Sequence, residues 1–159
     1  MYNKKVAVVG VGNTLMGDEG IGILVLHELE KKTYSGDIEF IDAGTGFFNI
    51  VSELRSFEKV IIIDAVHGGQ EAGTVYRFEI DDIEGKRDSA VSLHNFGVLE
   101  SIQLERLVAK LPEDIVFYGI EPQNIELSME ISPVVKRKVN YVVQKIIDEL
   151  RESGIEVVG

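Results

Sequence analysis

Lys59-Val60-Ile61-Ile62-Ile63-Asp64 is the stretch whose reading decides the fold. Four consecutive β-branched residues with no polar alternation describe a strand buried on both faces, as at the centre of a parallel sheet. Working outward, Lys5-Val6-Ala7-Val8-Val9 is a second run of this kind, closed by Gly10-Val11-Gly12-Asn13, and Ile38-Glu39-Phe40-Ile41-Asp42 is a third. Between the second and third lies a helical pattern in which Ile21, Leu24, Val25 and Leu29 recur on one face, with Glu28, Glu30, Lys31 and Lys32 on the other. Phe47 to Phe57 predicts a helix with Ile50, Val51 and Leu54 inward. Downstream, Thr74 to Phe78 alternates as a flanking strand and Asp81 to Ser92 is polar enough for a long loop. His94 to Leu111 is helical, and Asp114 to Gly119 is a further strand. A final helix starts at Ser132 with Pro133 in its first turn, turns Val135, Val139, Val142, Ile146 and Leu150 inward, and closes at Gly154. Strands alternating with helices predict an α/β fold, a single three-layer domain over residues 1–159 with a mostly parallel central sheet covered by helices on both faces.

Composition narrows the function. The 159 residues carry 16 Lys and Arg against 27 Asp and Glu, a net charge of −11, which disfavours phosphate backbones and anionic membranes; no nucleic acid and no membrane partner is expected. A chain of about 150 residues buries roughly 68–70% of its unfolded surface, so a monomer can hold its own core. With no cysteine, disulfides, thiolate metal sites, iron–sulfur clusters and a cysteine nucleophile are excluded. No apolar run approaches the ~18 residues that cross a bilayer, and the first residues do not form a signal peptide; a cytoplasmic protein is expected.

In parallel sheets ligands bind beyond the carboxyl ends of the strands. After the first strand comes Gly12-Asn13-Thr14-Leu15-Met16-Gly17-Asp18-Glu19-Gly20. Leu15 stands where a dinucleotide fingerprint needs glycine, and Asp18-Glu19 replace the Lys-Ser/Thr of a phosphate loop, so no nucleotide is expected. Two carboxylates there attract a cation or, more simply, favour the positive end of the next helix. Asp42 and Asp64 each follow an apolar strand, where a carboxylate needs a proton, a donor or a metal; a structural bond to the glycine turn is the simpler role for Asp42. Of three histidines, His27 reads as an exposed helix residue. His67, three residues past Asp64, and His94, opening a helix, both remain open as ligands. Glu19, Asp64 and one imidazole would suit a borderline divalent ion such as nickel, zinc, manganese or cobalt, with open coordination positions.

The same segments carry a family likeness. Gly10 to Gly22, Asp42-Ala43-Gly44-Thr45, Val60 to Ala65, Ser92-Leu93-His94, Gly119-Ile120-Glu121-Pro122 and Leu127-Ser128 together resemble the hydrogenase maturation endopeptidases, over nearly the whole chain. That resemblance implies an enzyme that removes the C-terminal extension of a [NiFe] hydrogenase large-subunit precursor after nickel insertion. It implies a metal-binding triad on Glu19, Asp64 and His94, with Asp42 as a further catalytic or positioning residue. It also implies that the nickel is supplied by the precursor rather than held permanently. His67 stands outside the family pattern. A non-cleaving chaperone that binds nickel or the precursor, and an unrelated hydrolase with a resident zinc or manganese, are the alternatives.

Overall fold

The computed structural model describes residues 4–84, 92–93 and 98–158. Strand β1 (Val6–Val11) leads through a 3₁₀ turn at Gly17–Gly20 into α1 (Ile21–Glu30); β2 (Thr33–Ser35), β3 (Ile38–Gly44) and α2 (Phe47–Ile50) follow. Then come a second 3₁₀ segment (Val51–Ser56), the long β4 (Lys59–His67), β5 (Val75–Glu79), α3 (Ile80–Glu84), β6 (Ser92–Leu93) and α4 (Val98–Val108). The chain ends in β7 (Asp114–Ile120), α5 (Pro133–Lys136), α6 (Val139–Glu152) and β8 (Glu156–Val158).

The sheet runs β3-β1-β4-β7-β5, parallel except for β5 at one edge, with β6 pairing antiparallel to the far end of β4. Strand alternation sends successive side chains to opposite faces and so divides the interior into two cores. Val6, Val8, Ile61, Ile63 and Val116 meet Leu26 and Leu29 of α1 and Ile146 and Leu150 of α6. Ala7, Val9, Val60, Ile62 and Phe117 meet Phe47, Leu54, Val98 and Ile102 from the other side. The expected three-layer α/β architecture is therefore the one observed, because the unbroken apolar strands supply both faces at once. Each fully buried Ile or Leu contributes about 1.5–3 kcal/mol. Gly22 sets the distance between α1 and the sheet: a Cβ there would lie 2.3 Å from the Ile63 carbonyl oxygen and 2.4 Å from that of Val11.

The structure differs from the sequence reading in four places. The helix expected over Phe47–Phe57 is one α-helical turn followed by 3₁₀ helix. The buried residues Val51, Leu54 and Phe57 fall three apart, the 3₁₀ repeat, and that spacing selects the tighter winding. The final helix is two pieces. Lys138 N–H bonds to the Val135 carbonyl at 3.0 Å, three residues back, yet Val135, Val139, Val142, Ile146 and Leu150 all remain buried. Its start at Ser132 and Pro133 holds, although the Ser132 side chain makes no capping bond. The segment read as a loop begins with α3, while residues 85–91 and 94–97, including the expected start of the His94–Leu111 helix, lie outside the described residues. The antiparallel pair β2–β8 was not anticipated.

A buried ion network ties α6 to the sheet. Glu149 accepts from Arg77 Nε at 2.9 Å and the Tyr118 hydroxyl at 2.6 Å, and pairs with Lys59 Nζ at 2.9 Å; Lys59 also reaches Asp114 at 3.0 Å. Burial alone would raise the Glu149 pKa, but Arg77, Tyr118 and Lys59 bring it down to about 2. Among the described residues no helix is long and apolar enough to cross a membrane.

Candidate active site

From β1 the chain crosses first to β3 on one side and then to β4 on the other, so the strand order reverses at β1 and β4. Their carboxyl ends bound the crevice where such sheets place a ligand, and Gly12–Gly20 and Asp64 lie there.

The 3₁₀ turn bearing Asp18 and Glu19 packs against β4. Its approach depends on Gly12, whose φ is +150° and whose Cβ would stand 2.1 Å from the Glu19 carbonyl oxygen. The two acidic neighbours divide their work. Asp18 is fully buried. Its Oδ2 accepts N–H bonds from Gln123 and Asn124, both at 2.9 Å, and its Oδ1 accepts from Ser132 at 2.7 Å. It therefore binds the 121–132 segment to the loop after β1, and its oxygens face backbone donors rather than the crevice. Glu19, beside it, is half-buried.

Asp64 is 1% exposed, and its Oδ1 accepts the Ala65 N–H at 2.8 Å. Asp42 lies near the carboxyl end of β3 with its carboxylate half-exposed; Oδ1 accepts the Gly44 N–H at 2.9 Å and Oδ2 lies 3.7 Å from His27 Nε2. The glycine-turn acceptor role is thus present, together with a histidine contact that sequence did not suggest. Strand alternation places Asp64 and His67 on opposite faces of β4, which separates His67 from the aspartate it might have joined. His94 lies outside the described residues. Its neighbour Leu93 pairs with Val66, two residues beyond Asp64. Among the described residues no group of three or more His, Asp or Glu is gathered closely enough to hold a metal ion.

One acid at this end, quoted in the family likeness, was given no role from the sequence. Glu121, directly after β7, is 6% exposed, and its Oε1 accepts from Gly68 N–H (2.8 Å), Gln70 N–H (3.3 Å) and the Tyr76 hydroxyl (2.6 Å). Burial pushes its pKa up, but Tyr76, the two amides and nearby His67 outweigh that and hold it below the ordinary carboxylate value. Burial and the bond to Glu121 push Tyr76 up to about 12. Glu121 thereby fixes the turn that leaves β4. The signal was available: Ile120-Glu121 is a carboxylate at the end of an apolar strand, the pattern that drew attention to Asp42 and Asp64.

With this geometry established, similarity to known proteins gives it a class. A family model described as HycI, hydrogenase maturation protease, matches residues 23–149. Coenzyme F420 hydrogenase subunit delta of Methanothermobacter thermautotrophicus is 32% identical over 161 residues, covering 96% of this chain and 98% of the relative. Hydrogenase 2 maturation protease of Escherichia coli is 26% identical over 156 residues, covering 97% and 95%. Among solved structures, the hydrogenase maturating endopeptidase HybD from E. coli superposes with a TM-score of 0.87 at 25% identity over 97% of this chain and 96% of that one. These likenesses place the chain among peptide-bond hydrolases. The chain belongs to the hydrogenase maturation protease family.

Proposed function

We propose that this enzyme removes the C-terminal extension of a [NiFe] hydrogenase large-subunit precursor once nickel is in place, and that Glu19, Asp64 and His94 contact the precursor's nickel. The observation that carries this reading is the convergence on the end of β4. The 3₁₀ turn with Glu19 packs on that strand, Asp64 sits in it, and β6, which leads directly into His94, pairs with its last two residues. Two carboxylates and an imidazole without a thiolate suit a borderline ion met transiently, in contrast to a closed structural site. The nickel enters as part of the substrate, where it can polarise the scissile carbonyl or a water. The chain's own residues orient the peptide, and a carboxylate, Glu19 or Asp42, takes the proton from the attacking water. Half-exposed Asp42, two strands from Asp64 and beside His27, is suited to positioning the substrate.

The experiment is incubation of the purified protein with nickel-loaded and nickel-free precursor, with the products weighed by mass spectrometry. Loss of a C-terminal peptide from the loaded precursor alone supports the reading. Full cleavage by both Asp64→Ala and His94→Ala proteins would refute the triad. Precursor that binds with unchanged mass would indicate a chaperone, and a resident zinc or manganese, near one ion per chain, would indicate a different hydrolase.

A further inference from the structure

The loop after β1 and the segment after β7 build a surface whose purpose the fold does not explain. Leu15 carbonyl accepts from Ser128 N–H at 2.9 Å, and Gly17 N–H donates to the Ser128 carbonyl at 2.8 Å, so the two segments pair as a short parallel bridge. The three Asp18 bonds anchor that pairing from beneath. This hydrogen-bonded backbone carries large apolar side chains outward: Leu15, Leu127 and Met129 are 53%, 84% and 79% exposed. Folding does not require them there.

Two adjoining hollows flank the bridge and share Ile131. One, of about 160 Å³, is walled by Ile23, Leu24, His27 and Met129 and reaches Gly20, the residue after Glu19. The other, of about 210 Å³, is rimmed by Glu126, Ser128 and Glu130. Each is smaller than the roughly 300–1,000 Å³ typical of whole-ligand sites, which suits single side chains of an extended peptide. Neither Glu126 nor Glu130 has an ion-pair partner among the described residues, both are exposed, and the chain as a whole carries a charge of −11.

We propose that this paired groove docks an extended stretch of the precursor in which an apolar residue lies next to a lysine or arginine. The apolar side chain seats against Ile23, Leu24 and Met129, and the cationic one between Glu126 and Glu130. This inference rests on the reading that the substrate is a hydrogenase precursor, and it adds how that substrate is recognised. The groove adjoins the turn bearing Glu19, and His27 in its wall reaches Asp42, so a chain lying in it continues to the strand ends. Acidic rims favour basic partners chiefly through encounter and register. A rival apolar surface exists on α4, where Leu104, Leu107 and Val108 are exposed, but it lies away from those strand ends.

The test is steady-state cleavage of nickel-loaded precursor, with precursor binding measured alongside by calorimetry at low and high salt. Met129→Glu and the double variant Glu126→Lys/Glu130→Lys are compared with wild type and Leu107→Glu. All four positions are exposed, and equal melting temperatures confirm intact folds. A rise in KM of about tenfold or more in the groove variants, kcat unchanged, supports the proposal. So does loss of salt dependence in the double variant. Unchanged KM in the groove variants, or an equal defect in Leu107→Glu, overturns it. If wild type binds through the groove but leaves the precursor uncut, the endopeptidase reading fails while the docking site stands.

Discussion

Replacing Asp18 by asparagine should detach the edge of the molecule that carries the proposed docking groove while leaving the sheet intact. The carboxylate is fully buried and accepts three backbone N–H bonds, from Gln123, Asn124 and Ser132, at 2.7–2.9 Å. Asparagine has one acceptor oxygen and one donor group. If its oxygen faces Gln123 and Asn124, those bonds lose their charge assistance, about 1 kcal/mol each, and its amide confronts the Ser132 N–H, leaving buried donors unsatisfied at about 1–3 kcal/mol. The total is about 3–5 kcal/mol, a large share of the 5–15 kcal/mol that usually holds a domain. Release of the 121–132 segment limits the global loss, because a surface segment can open with the core closed. Amide exchange should therefore rise sharply at Gln123, Asn124 and Ser132 but not in β4, and urea unfolding should show destabilisation of about 3 kcal/mol. KM for the precursor should rise as well, since the groove loses its Ser128 pairing. Native protection at those three amides with a stability loss under about 1 kcal/mol would refute the reasoning.

Other outcomes follow from the same structure. The Glu149 pKa falls from 4.5 to about 2 on folding, so its contribution of about 3 kcal/mol is complete above pH 4.5 and disappears as pH drops toward 2. Chemical unfolding between pH 7 and 3 should show that slope in wild type and a shallower one in Glu149→Gln, with cleavage per folded molecule unaltered. Gly22→Ala should cost about 3 kcal/mol or more in urea unfolding, since its methyl group would meet two backbone carbonyls. Glu121→Gln should loosen the Gly68–Gln70 turn, seen as faster amide exchange at Gly68 and Gln70 together with reduced kcat. Asp64→Asn, close in shape, should lower kcat by at least 100-fold while retaining the wild-type melting temperature within a few degrees.

The architecture was legible because it rests on local pattern. Val60-Ile61-Ile62-Ile63 has no polar alternation, and only a strand covered on both faces tolerates that. The crevice to which the proposed site is assigned was read from the same pattern, since carboxylates and glycines follow apolar strands at the ends where a parallel sheet opens. Helix continuity was harder. Periodicity made Phe47–Phe57 and Ser132–Gly154 look continuous, whereas 3₁₀ turns interrupt both without disturbing their apolar faces.

The sequence by itself determined the layers, the parallel strands, the exclusion of thiolate chemistry, and the likeness that identifies the family. Those depend on residue type and spacing along the chain. Only the tertiary structure separated Asp18 from Glu19, because the backbone donors that claim Asp18 come from residues more than a hundred positions away. Only it set Asp64 and His67 on opposite faces of β4, gave Asp42 a histidine neighbour and brought Glu121 under the turn after β4. A carboxylate's task is decided by the donors that reach it, and those donors are assembled only when distant segments fold together.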